Sequence, residues 1–153
     1  MTQKSKTALF AGSFNPFTVG HRSIVERTLT IADRVIVAVG FNAAKPEGAA
    51  GAEARAEAID IIFADEPRVE TAVYSGLTVD FAREAGADFL VRGVRSAADF
   101  EYERNLADIN REIAGIETVL LCALPEYGFV SSSMVRELQA NGFDASKFLP
   151  KTE

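Results

Sequence analysis

Five short β-rich runs separated by helical stretches predict an α/β fold in which a doubly wound, five-stranded parallel sheet carries helices on both faces. Three observations lead there. Strand and helix patterns alternate five times along 153 residues, and no long repeat or Pro- or Gly-rich linker divides the chain. A hydrophobic fraction of 48% supplies enough apolar surface for a sizeable core. Parallel strands need crossover helices, so regular alternation excludes a sandwich or a helical bundle.

The first run, Thr7–Ala11, is a buried strand, and Gly12–Val19 with Pro16 is a loop. Ile24, Val25, Thr28, Leu29, Ile31 and Ala32 recur near helical spacing, which places a helix from Gly20 or His21 to Ile31. Arg34–Phe41 is the second strand. Pro46, Gly48 and Gly51 make Asn42–Gly51 a loop, and the Ala- and Glu-rich stretch behind it is a helix ending near Phe63. Val69–Val73 is the third strand. Leu77, Phe81 and Ala85 share one face of the next helix, Phe89–Val91 is the fourth strand, and Phe100–Ile113 the following helix. Thr118–Leu124 is the fifth strand and Ser132–Asn141 the last helix. The arrangement is Rossmann-like, and residues 1–153 are expected to form one domain of ordinary size.

Composition narrows the function. With 16 basic and 22 acidic residues the net charge is −6, which disfavours nucleic acid and anionic lipid as partners. The longest apolar runs fall far short of the roughly 20 residues that cross a bilayer, and Thr7–Ala11 is too short for a signal h-region, so a cytoplasmic location is expected. One cysteine, Cys122, and one histidine, His21, provide neither a disulfide nor a zinc set. A small anionic ligand would need a local basic cluster set against the global charge.

Ligands of such sheets bind at the carboxyl ends of the strands, which directs attention to the residues after each one. Gly12–His21, GSFNPFTVGH, follows the first strand. Ser13 offers a hydroxyl, and His21 falls in the first helical turn, where free N–H groups favour an anion. The same loop also reads as turn chemistry with a surface histidine. Lys45 follows the second strand, alone, as a phosphate contact or a solubilising lysine. Arg92 and Arg95, in RGVR, follow the fourth strand and meet either an anionic substrate or the acidic run Asp99–Glu103. Tyr127, Gly128 and Ser131–Ser133 follow the fifth; three hydroxyls exceed what one N-cap requires. There is no Walker loop and no GxGxxG.

GSFNPFTVGH resembles the T/SxGH signature of the nucleotidyltransferases, and SSSMVRE resembles their ISSTxIR signature. Arg92–Asn110, RGVRSAADFEYERNLADIN, is similar to phosphopantetheine adenylyltransferases, which make dephospho-coenzyme A; the likeness runs from Thr7 to about Pro150. It implies that Ser13 and Phe14 contact substrate and ATP, that His21 meets the α-phosphate, and that Lys45 and Arg92 hold the phosphopantetheine phosphate. Thr78, Leu106 and Asn110 would line the pantetheine channel. Gly93, Val94, Arg95, Glu103 and Tyr127–Ser133, including Phe129, Val130 and Ser132, would bind ATP. The family further implies Mg²⁺ with ATP, a homohexamer and inhibition by coenzyme A. Ser13 stands where the family has Thr, and Asn15 where it has Asp. Asn there also occurs in nicotinamide mononucleotide adenylyltransferases, the enzymatic alternative, and a non-catalytic ATP-sensing domain is the other. Adenylyl transfer to a phosphomonoester needs no general base, because the acceptor is already largely ionised at neutral pH, so the missing triad and carboxylate dyad are expected.

Overall fold

The computed structural model describes residues 4–152; residues 1–3 and Glu153 lie outside it. Five strands, β1 (Thr7–Gly12), β2 (Arg34–Gly40), β3 (Val69–Tyr74), β4 (Phe89–Val94) and β5 (Glu117–Cys122), form one sheet in the order β3-β2-β1-β4-β5. Every pairing is parallel. The chain winds outward from β1 to β3, crosses back, and continues from β4 on the other side of β1. That reversal places the switch point between β1 and β4, where a crevice forms at the carboxyl ends.

Strand alternation splits the core into two layers. Phe10, Val35, Val37, Val39 and Val91 face helices α1 (Val19–Thr28) and α2 (Gly48–Ile62), whose Ile24, Val25, Ala52, Ala56 and Ile59 cover them. Leu9, Ala11, Ile36 and Leu90 point the other way, onto Val79 and Ala82 of α3 (Thr78–Glu84). Helix α4 (Ala97–Ala114) continues that layer over β4 and β5, and α5 (Ser132–Ala140) follows a short 3₁₀ turn at Pro125–Tyr127. The doubly wound arrangement read from the alternation is the one observed.

Several element boundaries differ from the expectation, each for a local or a tertiary reason. Helix α1 starts at Val19 because Thr18 and His21 form a capping box, and it ends at Thr28. Helix α2 begins at Gly48, inside the expected loop: Gly51 N–H bonds Glu47 C=O at 2.8 Å, so the first turn closes despite its glycines. Helix α4 begins at Ala97 because Ser96 caps it, accepting from the Asp99 N–H at 3.2 Å, and it stops at Gly115, whose φ of 68° suits a left-handed C-cap. The change that bears most on the site is in β4, which runs on through Arg92, Gly93 and Val94 because these pair with Leu120, Leu121 and Cys122 of β5. Arg92 is therefore a strand residue rather than a loop residue. Gly93 lies where α1 passes close to β4: a Cβ there would stand 3.2 Å from Ile24 Cγ1, a tight contact.

Leu9 is fully buried in the central strand. Leu9→Ala should cost about 2–5 kcal/mol, the usual penalty for such a cavity, measured by urea unfolding; a loss under about 1 kcal/mol would contradict its place in the core.

Candidate active site

Strands β1 and β4 pair only from Ala8 with Phe89 to Phe10 with Val91, and beyond that they part. The gap is bridged by a side chain. Arg92 Nη1 donates to the Ala11 carbonyl at 2.5 Å, while its Nε and Nη2 each donate at 2.8 Å to the carboxylate of Glu103 on α4. Burial opposes the charge on Arg92, but the hydrogen bonds and charge of Glu103 outweigh it, and the guanidinium is held above its already high ordinary value. Three of its five N–H groups are committed, leaving one on Nη1 and one on Nη2 for a ligand. Arg95 is held more loosely, Nε standing 3.4 Å from the Asp99 carboxylate. Both arginines thus meet the acidic run and still face a cavity.

Two cavities lie against these residues. The larger, about 440 Å³, is lined by Ser13, Phe14, His21, Arg92, Gly93, Arg95, Glu103, Tyr127, Val130 and Ser131–Ser133. The smaller, about 200 Å³, is lined by Thr78, Leu106, Asn110, Arg92 and Glu103 among apolar neighbours. Arg92 and Glu103 belong to both walls. Lys45, Val94, Gly128 and Phe129 line neither: Lys45 is exposed on the loop between β2 and α2, Val94 is buried, and Phe129 packs edge-on against Phe148 at 5.9 Å. A larger hollow of about 760 Å³ at the loop from α2 into β3 contains none of these groups.

The loop after β1 is rigid for identifiable reasons. Phe14 has φ of 48°, a conformation that costs an L-residue about 1–2 kcal/mol. Its ring offsets this by being buried, edge-on to Phe10 at 5.1 Å and to His21 at 5.0 Å. Three carbonyls of the loop are then taken by distant side chains. Arg55 Nε donates to Ser13 C=O at 2.8 Å, Arg136 Nη1 to Asn15 C=O at 2.5 Å, and Ser132 Oγ to Pro16 C=O at 2.7 Å. The three serines are accordingly not equivalent. Ser131 caps α5 by accepting from the Met134 N–H, Ser132 clips the loop, and Ser133 accepts from Arg136 Nη2. Ser131 and Ser133 keep their own O–H free to donate.

His21 rests on Phe14 and Phe17, with its edge toward the larger cavity. Its Nδ1 accepts the Thr18 N–H at 3.0 Å. A backbone N–H can only donate, so the proton of the neutral ring sits on Nε2, leaving that nitrogen a donor. Burial, with the charges of Arg92 and Arg95, lowers its pKa to about 4, so at neutral pH it is an uncharged hydrogen-bond donor.

Sequence reading missed Thr18, Arg55 and Arg136 as parts of this site. Thr18 had a local signal, since a threonine three residues before a polar first-turn residue is the capping-box pattern. The contact of Arg55 with a carbonyl 42 residues away leaves no trace in local spacing.

Against known proteins, the chain matches the cytidylyltransferase-like family over residues 9–138. It is 54% identical over 148 residues to the phosphopantetheine adenylyltransferase of Porphyromonas gingivalis, covering 97% of this chain and 96% of that one. It is 49% identical over 146 residues to the protein of the same name from Bacteroides fragilis, covering 95% and 97%. Among solved structures, a nicotinate-nucleotide adenylyltransferase (so named provisionally) from Vibrio parahaemolyticus superposes with a TM-score of 0.64 at 20% identity, over 97% of this chain and 96% of that one. A bifunctional NMN adenylyltransferase/ADP ribose pyrophosphatase from Francisella tularensis, complexed with AMP and an Mn ion, superposes with a TM-score of 0.70 at 14% identity, over 98% of this chain and 46% of that one. These two structures share the fold.

With a single histidine in the chain, the environment of His21 is directly readable by proton NMR. Its ring resonance in the free protein should titrate near 4 rather than 6.5. Between those values the unfolded chain binds the proton and the folded chain does not, so the contribution of His21 to stability falls as pH drops from 6.5 toward 4. A midpoint at or above 6.5 would contradict the buried, arginine-facing placement.

Proposed function

Because the chain belongs to the cytidylyltransferase-like family and within it to the phosphopantetheine adenylyltransferases, enzymes that make dephospho-coenzyme A, we propose that ATP occupies its larger cavity and the pantetheine arm its smaller one. The observation that carries this is the Arg92–Glu103 pair, a wall common to both cavities. A phosphate held by the two free N–H groups of Arg92 sits against the wall that the two cavities share, toward the nucleotide phosphates beside His21.

In the reaction, an oxygen of the phosphopantetheine phosphate bonds to the α-phosphorus of ATP. The bond from that phosphorus to the bridging oxygen of the β-phosphate breaks, and pyrophosphate leaves. No proton has to be removed from the acceptor. Catalysis reduces to holding two anions in line and stabilising charge on the α-phosphate. His21, neutral with its proton on Nε2, donates to that charge, together with the Ser13 hydroxyl. Arg92 anchors the acceptor, joined by Lys45 from its exposed loop, and Arg95 with the hydroxyls of Ser131 and Ser133 receives the pyrophosphate. Phe14 and Val130, which line the larger cavity, supply further ATP contacts.

No group of three or more His, Cys, Asp or Glu side chains among the described residues is arranged to hold a metal ion, and Asp99 and Glu103 are already bound by arginines. The residues present do not fit a resident ion, so Mg²⁺ is proposed to arrive as part of the ATP complex, held by phosphate and water. Coenzyme A carries the acceptor's arm and the product's adenosine, and is proposed to compete at both cavities. A cytoplasmic homohexamer is also proposed from the family; among the described residues no helix is long and apolar enough to cross a membrane.

Pyrophosphate release from ATP should require phosphopantetheine; turnover with nicotinamide mononucleotide and none with phosphopantetheine would overturn the reading, and no turnover with either would favour a sensor. His21→Ala should lower kcat about 100- to 1000-fold with ATP affinity nearly intact, whereas Arg92→Ala should raise KM for phosphopantetheine as well. A folded His21→Ala protein with kcat within a few-fold of the parent would remove His21 from the mechanism. Light scattering should give the mass of six chains, and a monomer at micromolar concentration would refute the assembly.

A further inference from the structure

Thr118 of β5 lines the smaller cavity, and its Oγ1 is the one buried side-chain nitrogen or oxygen among the described residues that no protein group satisfies. Buried hydroxyls without a partner are rare in folded proteins and costly to keep. Its position in the sheet gives the atom a context. Thr118 pairs in register with Leu90, so its side chain shares the face from which Arg92 projects, two residues further on. That offset is about 7 Å toward the amino end of the strands. The rest of the cavity wall is mostly apolar, with Leu9, Val79, Leu90 and Leu106 among its residues, and its other polar side chains are Thr78, Asn110 and the Arg92–Glu103 pair. A few placed polar groups in a mostly apolar slot are how small-molecule sites fix orientation.

We propose that Thr118 is a specificity-determining residue for the acceptor, its hydroxyl exchanging a hydrogen bond with the hydroxyl or first amide of the pantetheine arm. This rests on the assignment of the smaller cavity to that arm. With the acceptor phosphate on Arg92, the arm entering the slot passes its first polar groups only a few bonds later, at the depth of Thr118. A single χ1 step exchanges the hydroxyl and methyl of threonine and can present the oxygen to the cavity.

The test compares Thr118→Val, which keeps the shape and removes the hydroxyl, with Thr118→Ser, which keeps the hydroxyl. The valine variant should raise KM for phosphopantetheine about 3- to 10-fold, the loss of one uncharged hydrogen bond. Its kcat and its KM for ATP should stay at parent values, its melting temperature should not fall, and the serine variant should bind like the parent. If the valine variant does not fold, the KM ratio of Thr118→Ala to Thr118→Ser decides by the same criterion. Ala107→Phe, which fills the same cavity, tests the assignment separately. An unchanged KM for phosphopantetheine with Ala107→Phe would place the arm elsewhere and overturn both statements. A raised KM with Ala107→Phe but a parent-like KM with Thr118→Val would overturn the role of Thr118 alone.

Discussion

The site depends on the parting of two strands. After Phe10 and Val91, β1 and β4 no longer pair, and the Ala11 carbonyl at the crevice is met by Arg92. The part-buried guanidinium is stabilised there by Glu103, which neutralises it through two parallel hydrogen bonds. Glu103 is available because α4 crosses back over β4 and β5. The crevice, the paired cavities and the charge at their junction therefore have one origin, the reversal of strand order beside β1.

Around that opening, several contacts hold the groups of the site in place. Phe14 accepts an unfavourable backbone conformation because its ring is buried beneath His21. Arg55, Ser132 and Arg136 take the carbonyls of Ser13, Pro16 and Asn15 from two different helices. Thr18 fixes the tautomer of His21 from the backbone. Donors that need no rearrangement when charge develops are worth more than mobile ones, since the reorganisation has been completed on folding.

Electrostatics in the site oppose those of the whole chain. A net charge of −6 surrounds a cavity in which Arg92 and Arg95 are each matched by a carboxylate and His21 is neutral. The N–H groups that Arg92 leaves unused at the cavity wall offer an anion hydrogen bonds, an effect of geometry that acts over short distances rather than through a long-range field.

What the sequence determined by itself were the features carried by neighbours along the chain. The alternation of apolar runs and helical spacing determines five parallel strands, and with them the side of the sheet on which a ligand binds. GSFNPFTVGH, RGVR and SSSMVRE are each short contiguous segments, so their chemistry is legible in place. Tertiary structure decided the strand order, the extension of β4 through Val94, and the choice of Arg92 between substrate and Glu103, which it settles by bonding Glu103 with part of its fork and leaving two N–H groups over. It also decided that Ser132 serves Pro16, 116 residues away, and Arg136 serves Asn15, 121 residues away. Such partners leave no trace in local periodicity, because strand order and crossover packing bring them together only after the chain has wound on both sides of β1.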